Sequence, residues 1–153
     1  SKVGELNNPA DRDHCLQYMV AVGLLKGNLI AEDYEDDVAK DPRIDMLREK
    51  MVINEDKRYS KEYLEADKRS IANRIQIHFE DGTSSDEIEV EYPIGHKRRR
   101  EEGIPILENK FKRNLDITYD KERSKKIFEL CMNQKELEET TVIDFQNLLS
   151  KKI

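Results

Sequence analysis

The stretch NNPADRDHCLQYMVAVGLLKG, residues 7 to 27, limits the fold more than any other part of the chain. It carries both ends of a helix: Asn8 is a favourable cap, Pro9 suits the first helical position, and Asp11 and Asp13 complement the positive N-terminal end. Gly27 is the natural stop. Between them Leu16, Met19, Val20 and Leu24, with the small Ala21 and Gly23, make the helix apolar almost all round, which predicts burial on most sides. Other elements must therefore wrap around it. In a chain of 153 residues with 37% hydrophobic and 39% charged residues and no tryptophan, the core is either thin or completed by surfaces outside this sequence. The length fits one domain, or a piece of a larger protein.

The polar exceptions in this helix cluster. His14, Gln17, Tyr18, Ala21 and Leu25 follow steps of three and four, so a continuous helix places an imidazole, an amide and a phenol on one face. A lone histidine on an apolar helix is commonly a satisfied core residue. A histidine, glutamine and tyrosine together are costly to desolvate unless they line a cavity, and such patches are where acid–base chemistry is found. Both alternatives stay open for His14 from the residues alone.

Further along, IAEDYEDDVAKDPRIDMLREKM predicts a short acidic helix, a break, and a second helix capped by Asp41 with Pro42 at its first position and Ile44, Leu47 and Met51 inward. MVINE predicts a short strand, and 57–69 has no clean period and reads as a charged loop. In SIANRIQIHFEDGTSSDEIEVEYPIG, Ile75, Ile77 and Phe79 alternate with polar residues, Asp81-Gly82 turns the chain, and Ile88, Val90 and Tyr92 alternate again. This predicts a hairpin with one buried face and His78 on the solvent side. A helix with Pro105 near its start and Ile106, Leu107, Phe111 and Leu115 inward should follow, then two more around Ile127, Phe128, Leu130 and Cys131 and around Val142, Phe145, Leu148 and Leu149. Blocks of helix and a small antiparallel sheet, without repeated strand-helix-strand units, indicate an α+β class. The expected arrangement is a two-layer, sandwich-like packing of sheet and helices followed by C-terminal helices.

Several function classes are disfavoured. The longest apolar stretch, MVAVGLL, is far short of the roughly 20 residues that span a bilayer, and no signal segment is evident, so a soluble protein without membrane partners is expected. Cys15 and Cys131 lie far apart within apolar helical patterns, which predicts buried thiols in a reducing compartment, cytoplasm or mitochondrial matrix. Two distant cysteines do not make an iron–sulfur cluster, and no cofactor or metal is expected. EDYEDD lacks the spacing and glycine turn of a calcium loop and reads as a solvated helix face. No phosphate-binding glycine loop, zinc pattern or serine elbow occurs.

One run stands against the net charge of −6: GHKRRREEG, residues 95 to 103. Nucleic acid is not an expected partner, because Glu101 and Glu102 cancel half the charge and no aromatic residue lies between Tyr92 and Phe111 for stacking. The run sits on a strand-to-helix loop, where a solvated loop, a carboxylate ligand and a domain or subunit contact are the open alternatives.

With these motifs placed, NNPADRDHCLQYMVAV, YEDDVAKDPRIDMLREKM, KRSIAN and VEYPIGHKRRREEGIPILENKF together resemble the C-terminal part of the MmgE/PrpD family. The resemblance runs in order from residue 8 to about residue 115, with a looser fit in the tail. The His14 to Tyr18 block resembles the whole family, whereas Gly95 to Arg100 and Gly103-Ile104-Pro105 resemble its methylcitrate-dehydrating branch. The resemblance implies an intact enzyme in which 1–118 is the α+β C-terminal domain and 119–153 a helical tail that packs on a helical N-terminal domain. It further implies a homodimer, a tricarboxylate substrate, and dehydration of 2-methylcitrate to 2-methyl-cis-aconitate without an iron–sulfur cluster. On this basis Tyr18 and His14 are expected to be catalytic, and Gln17, His96, Arg98 and Arg99 to bind substrate, since arginine offers a bidentate fork to carboxylates. This chain alone should be inactive. The alternative is a non-catalytic interaction domain in which the 97–100 loop holds an acidic partner.

Overall fold

A computed structural model describes residues 4–150 and shows an α+β chain in two compact units, Ser1–Lys57 and Arg58–Ile153. The first unit is helical. Helix α1 (Pro9–Asp13) opens on Asn8, whose Oδ1 accepts the Asp11 N–H at 2.9 Å, and α2 (Leu16–Lys26) ends at Gly27 in the left-handed region at φ 78°. The expected single helix is broken at His14 and Cys15. Cys15 is extended, and the His14 imidazole donates from Nδ1 to the Ala10 carbonyl at 3.0 Å, taking an acceptor that a continuing helix would give to a backbone N–H.

After a 3-10 turn at Ala31–Tyr34 come α3 (Asp36–Ala39) and α4 (Pro42–Lys50), the latter capped by Asp41 as its sequence predicts. Cys15, Tyr18, Ala21, Val22 and Ile44 form the buried core, with Leu47 and Met51 packed against it. Burial of α2 is one-sided: Leu16 and Leu24 are exposed, so the near-complete envelope expected from its composition is not formed among the described residues. The acidic stretch is also not a purely solvated face. Asp33 is buried, pairs with Lys26, and accepts the Ile30 N–H at 2.8 Å.

In the second unit the expected charged loop is instead helix α5 (Lys57–Leu64). Its buried residue is Glu62, paired with Lys68 at 2.7 Å, which is why no apolar period marks it in the sequence. The expected MVINE strand is absent: residues 51–56 pair with no strand among the described residues, and Val52 and Ile53 are exposed. Strands β1 (Asn73–Ile75) and β2 (Ile88–Val90) form an antiparallel pair with Ile75 opposite Ile88, and Gly82 turns the chain between them at φ 86°. The apolar face predicted for the hairpin exists but is uncovered, with Ile88 60% exposed and Phe79 and Val90 also open.

Helix α6 (Arg100–Thr118) begins within the basic run, earlier than Pro105 suggests, so Pro105 lies inside it and has no N–H for the Glu101 carbonyl. Leu115 is buried and Phe111 half-buried, but Ile106 and Leu107 face outward. Helix α7 (Lys121–Met132) packs on α6 through Ile127 and Leu130, with the Phe111 and Phe128 ring centroids 5.9 Å apart. Among the described residues three helices rather than two follow α6: α7, the short α8 (Gln134–Glu139) and α9 (Val142–Leu149). The last is held by its C-terminal carbonyls. Arg123 Nε donates to Leu148 O at 2.7 Å and Tyr119 Oη to Leu149 O at 2.9 Å, while Val142 and Ile143 stay in solvent. Neither cysteine is in a disulfide; Cys15 is buried as expected, whereas Cys131 is half-buried. No helix among the described residues is long and apolar enough to cross a membrane.

Candidate functional site

The polar patch of the first unit lines a cleft of about 520 Å³, with Arg12, Gln17, Tyr18, Asp45 and Arg48 among its walls. Helix α2 places Gln17 and Tyr18 side by side at its start, both 2% exposed. The Tyr18 hydroxyl donates to the Asp33 carbonyl at 2.6 Å, and the ring stacks near Tyr34, centroids 6.1 Å apart. Burial raises the Tyr18 phenol above its ordinary value near 10, with the Arg12 charge opposing and Asp33 and Tyr34 adding to the rise. At neutral pH Tyr18 is therefore a proton donor, not a phenolate. The Gln17 amide oxygen accepts from the Cys15 thiol at 3.7 Å.

Two arginines in this cleft carried no signal in the sequence. Arg12 is 4% exposed and donates to Tyr34 O at 2.6 Å, Leu6 O at 3.4 Å and Asp36 at 2.8 Å. Arg48, 8% exposed, donates to Gly4 O at 2.7 Å and pairs with Asp45. Held through their Nη donors, both leave a buried Nε without a partner among the described residues, so each guanidinium has donor capacity left over. The charge run DRDH hides Arg12 because a spacing argument selects apolar periods, not cations buried against backbone carbonyls.

His14 does not join this group. The break at Cys15 turns it outward, its side chain 79% exposed, with Nδ1 against the Ala10 carbonyl and Asp13. A shared face for His14, Gln17 and Tyr18 required an unbroken helix, so the structure unites only the last two.

The second group of expected site residues lies in the other unit, on a 3-10 turn at Lys97–Arg99. His96 caps it, its Nδ1 accepting the Arg98 N–H at 3.2 Å, which places the ring proton on Nε2. The imidazole packs on Tyr92 at 4.6 Å between centroids, and the Arg98 guanidinium lies 5.0 Å from the centroid of the same ring while donating to Asp67 O. Arg99 forks onto Glu102 at 3.1 and 2.7 Å and donates to Tyr92 O at 3.0 Å. Both arginines thus fasten the loop to its own unit. His78 bonds Ser84 Oγ at 2.7 Å on the hairpin surface.

Comparison with known proteins decides the family. A model described as the MmgE/PrpD C-terminal domain matches residues 1–134. The chain belongs to the MmgE/PrpD family. Among relatives in this family, the 2-methylcitrate dehydratase of Escherichia coli (strain K12) is 51% identical over 147 residues, covering 96% of this chain and 30% of that protein. The mitochondrial 2-methylcitrate dehydratase of Yarrowia lipolytica is 51% identical over 151 residues, 99% of this chain and 29% of its own length. A probable 2-methylcitrate dehydratase of Saccharomyces cerevisiae is 60% identical over 114 residues, 74% of this chain and 22% of its own. The chain therefore spans about 30% of the length of the first relatives it matches.

Proposed function

We infer that the intact protein is a hydro-lyase that removes water from 2-methylcitrate to give 2-methyl-cis-aconitate, with this chain supplying part of the active-site wall. The observation that carries the reading is the identity of about 50% over nearly the whole chain to proteins bearing that name in bacteria and yeast. In this reading the 119–153 tail packs on a helical domain supplied by the rest of the protein, two copies pair, and the enzyme works in the cytoplasm or the mitochondrial matrix.

The reaction is two proton transfers around a fixed tricarboxylate. A base takes the proton from carbon, the double bond forms as the C–O bond breaks, and the hydroxyl leaves as water after receiving a proton. Positive charge and donors must meet the carboxylates and the developing enolate. Tyr18, kept protonated by burial, suits the donor role once its hydroxyl exchanges the Asp33 carbonyl for the leaving oxygen, and Gln17 beside it supplies an amide to the same cleft. His14, outside that cleft with Nδ1 fixed by Ala10 and Asp13, offers an oriented imidazole for proton relay or carboxylate contact. The base for the carbon acid lies outside this chain. His96, Arg98 and Arg99 form the second substrate-binding group; the two arginines shape the loop through Tyr92, Asp67 and Glu102, and His96 presents Nε2–H.

The test is the absorbance of the conjugated tricarboxylate after 2-methylcitrate is added to the intact protein. Turnover is expected, and Tyr18→Phe should lower kcat by about 10²-fold or more with a smaller change in KM. Absence of product, or a Tyr18→Phe variant as fast as the parent, would overturn the activity or the Tyr18 role respectively.

A further inference from the structure

A hollow of about 440 Å³ opens in the second unit between residues 69–71 and 93–97, lined by Arg69, Ile71, Pro93, Gly95, His96 and Lys97. Its size lies within the range of small-molecule clefts. No acidic side chain lines it, although acids outnumber bases in the chain, 33 to 27. Neither Arg69 nor Lys97 pairs with a carboxylate among the described residues. Both walls are fixed. Arg69 sits at φ 47°, a left-handed conformation that a bulky residue adopts only where its surroundings impose it, and the next residue, Ser70, is fully buried. The Ile71 N–H donates to Glu91 O at 3.2 Å. On the other wall the arginines next to Lys97 are spent on latching the turn, as described above, which leaves Lys97 as the cation the loop brings to the hollow.

We propose that Arg69 and Lys97, with the Nε2–H of His96, form a binding site for one end of a small polycarboxylate. Arg98 and Arg99, in the same substrate-binding group, serve this site by holding the turn. Two separate cations, each with a compact or forked set of donors, suit carboxylates spaced along a carbon skeleton better than one phosphate, which is held by donors converging on a point. The choice of carboxylate over other anions rests on the dehydratase reading; the location and charge of the hollow do not.

The experiment is a 15N–1H TROSY NMR titration of the intact protein with citrate, with inorganic phosphate and with sodium chloride at matched ionic strength. Citrate should give saturable shifts at residues 69–71 and 95–97. Affinity should fall by about fivefold or more in Lys97→Gln and in Arg69→Asn, the latter chosen because asparagine tolerates left-handed backbone. Lys110→Gln removes the same charge from an exposed position on α6 and should leave binding unchanged. Equal losses in all three variants, phosphate binding as tight as citrate, or no saturable shift would overturn the proposal. If Arg69→Asn disturbs the fold, Lys97→Gln alone decides. A citrate site here in a protein whose intact form is inactive on 2-methylcitrate would remove the dehydratase reading and leave this site standing.

Discussion

Single residues divide here into those whose work follows from type and spacing and those whose work depends on backbone geometry. Asp41 is of the first kind. It precedes Pro42, caps α4 by accepting the Arg43 N–H at 3.0 Å, and grips the Arg43 side chain through both oxygens. The Arg43 side chain and then its backbone N–H lower the carboxyl from its ordinary 3.8 to about 2. The sign follows from proton counting: between these values the unfolded chain binds the proton and the folded one does not, so stability rises with pH across that window. Asp41 contributes this stability above about pH 4 and loses it as pH falls through about 2. Carboxyl 13C shifts should show Asp41 still mostly ionised at about pH 3, where an ordinary aspartate is mostly protonated. Asp41→Asn, which keeps a cap but no charge, should flatten the acid limb of the stability curve in that window. A midpoint near the ordinary value would mean the fork to Arg43 does not form. His14 and Arg12 are of the second kind. The sequence places both in one helical pattern, yet the turn at Cys15 sends one to solvent, and carbonyls distant in sequence draw the other inward. Spacing shows neither.

Elements were legible where an apolar period or a cap marks them: the later part of the expected first helix with its glycine stop, α4 with its aspartate cap, the Asp81-Gly82 turn, α7 and α9 all lie where the pattern predicts. Elements held by polar contacts were not. Helix α5 turns a carboxylate inward, and α8 is capped by Asn133 and buries no residue. The start of α6 is a third case, set by a close approach instead of a period. Gly103 is buried three residues into the helix, and a Cβ there would overlap the Ile94 carbonyl oxygen, which leaves no room for any other residue without moving the segment before the basic loop. Gly103→Ala should therefore destabilise by about 1–3 kcal/mol, although alanine is the better helix former by up to about 1 kcal/mol. Thermal unfolding measures it. A variant with an unchanged or higher melting temperature would show that the Ile94 segment yields freely, and the same variant would then leave the 97–99 turn without a fixed base.

At the scale of the whole chain, too little apolar surface is covered for the number of elements present. Ile75, Ile88 and Val90 on the hairpin and Ile104, Ile106 and Leu107 on α6 are all at least one-third exposed, while among the described residues the buried apolar core of the second unit is Leu115, Ile127 and Leu130 with half-buried neighbours. Composition pointed to this, since 39% charged and 37% hydrophobic residues without tryptophan leave a thin core in a chain of this length. What composition could not say is where the uncovered surface lies, because the hairpin alternates as if one face were buried. The coverage of about 30% of the matched relatives supplies the missing term: in the proposed intact enzyme these side chains meet surface contributed by the rest of the protein. Two measurements follow for the 153 residues on their own. Their binding of a hydrophobic dye, per mole, should exceed that of the intact protein, since exposed apolar area is what such a dye reports. They should also show no turnover of 2-methylcitrate. Dye binding no greater than that of the intact protein would mean that these faces stay open in the enzyme as well, and turnover by the chain alone would place the carbon-acid base within residues 1–153, where the proposed mechanism has none.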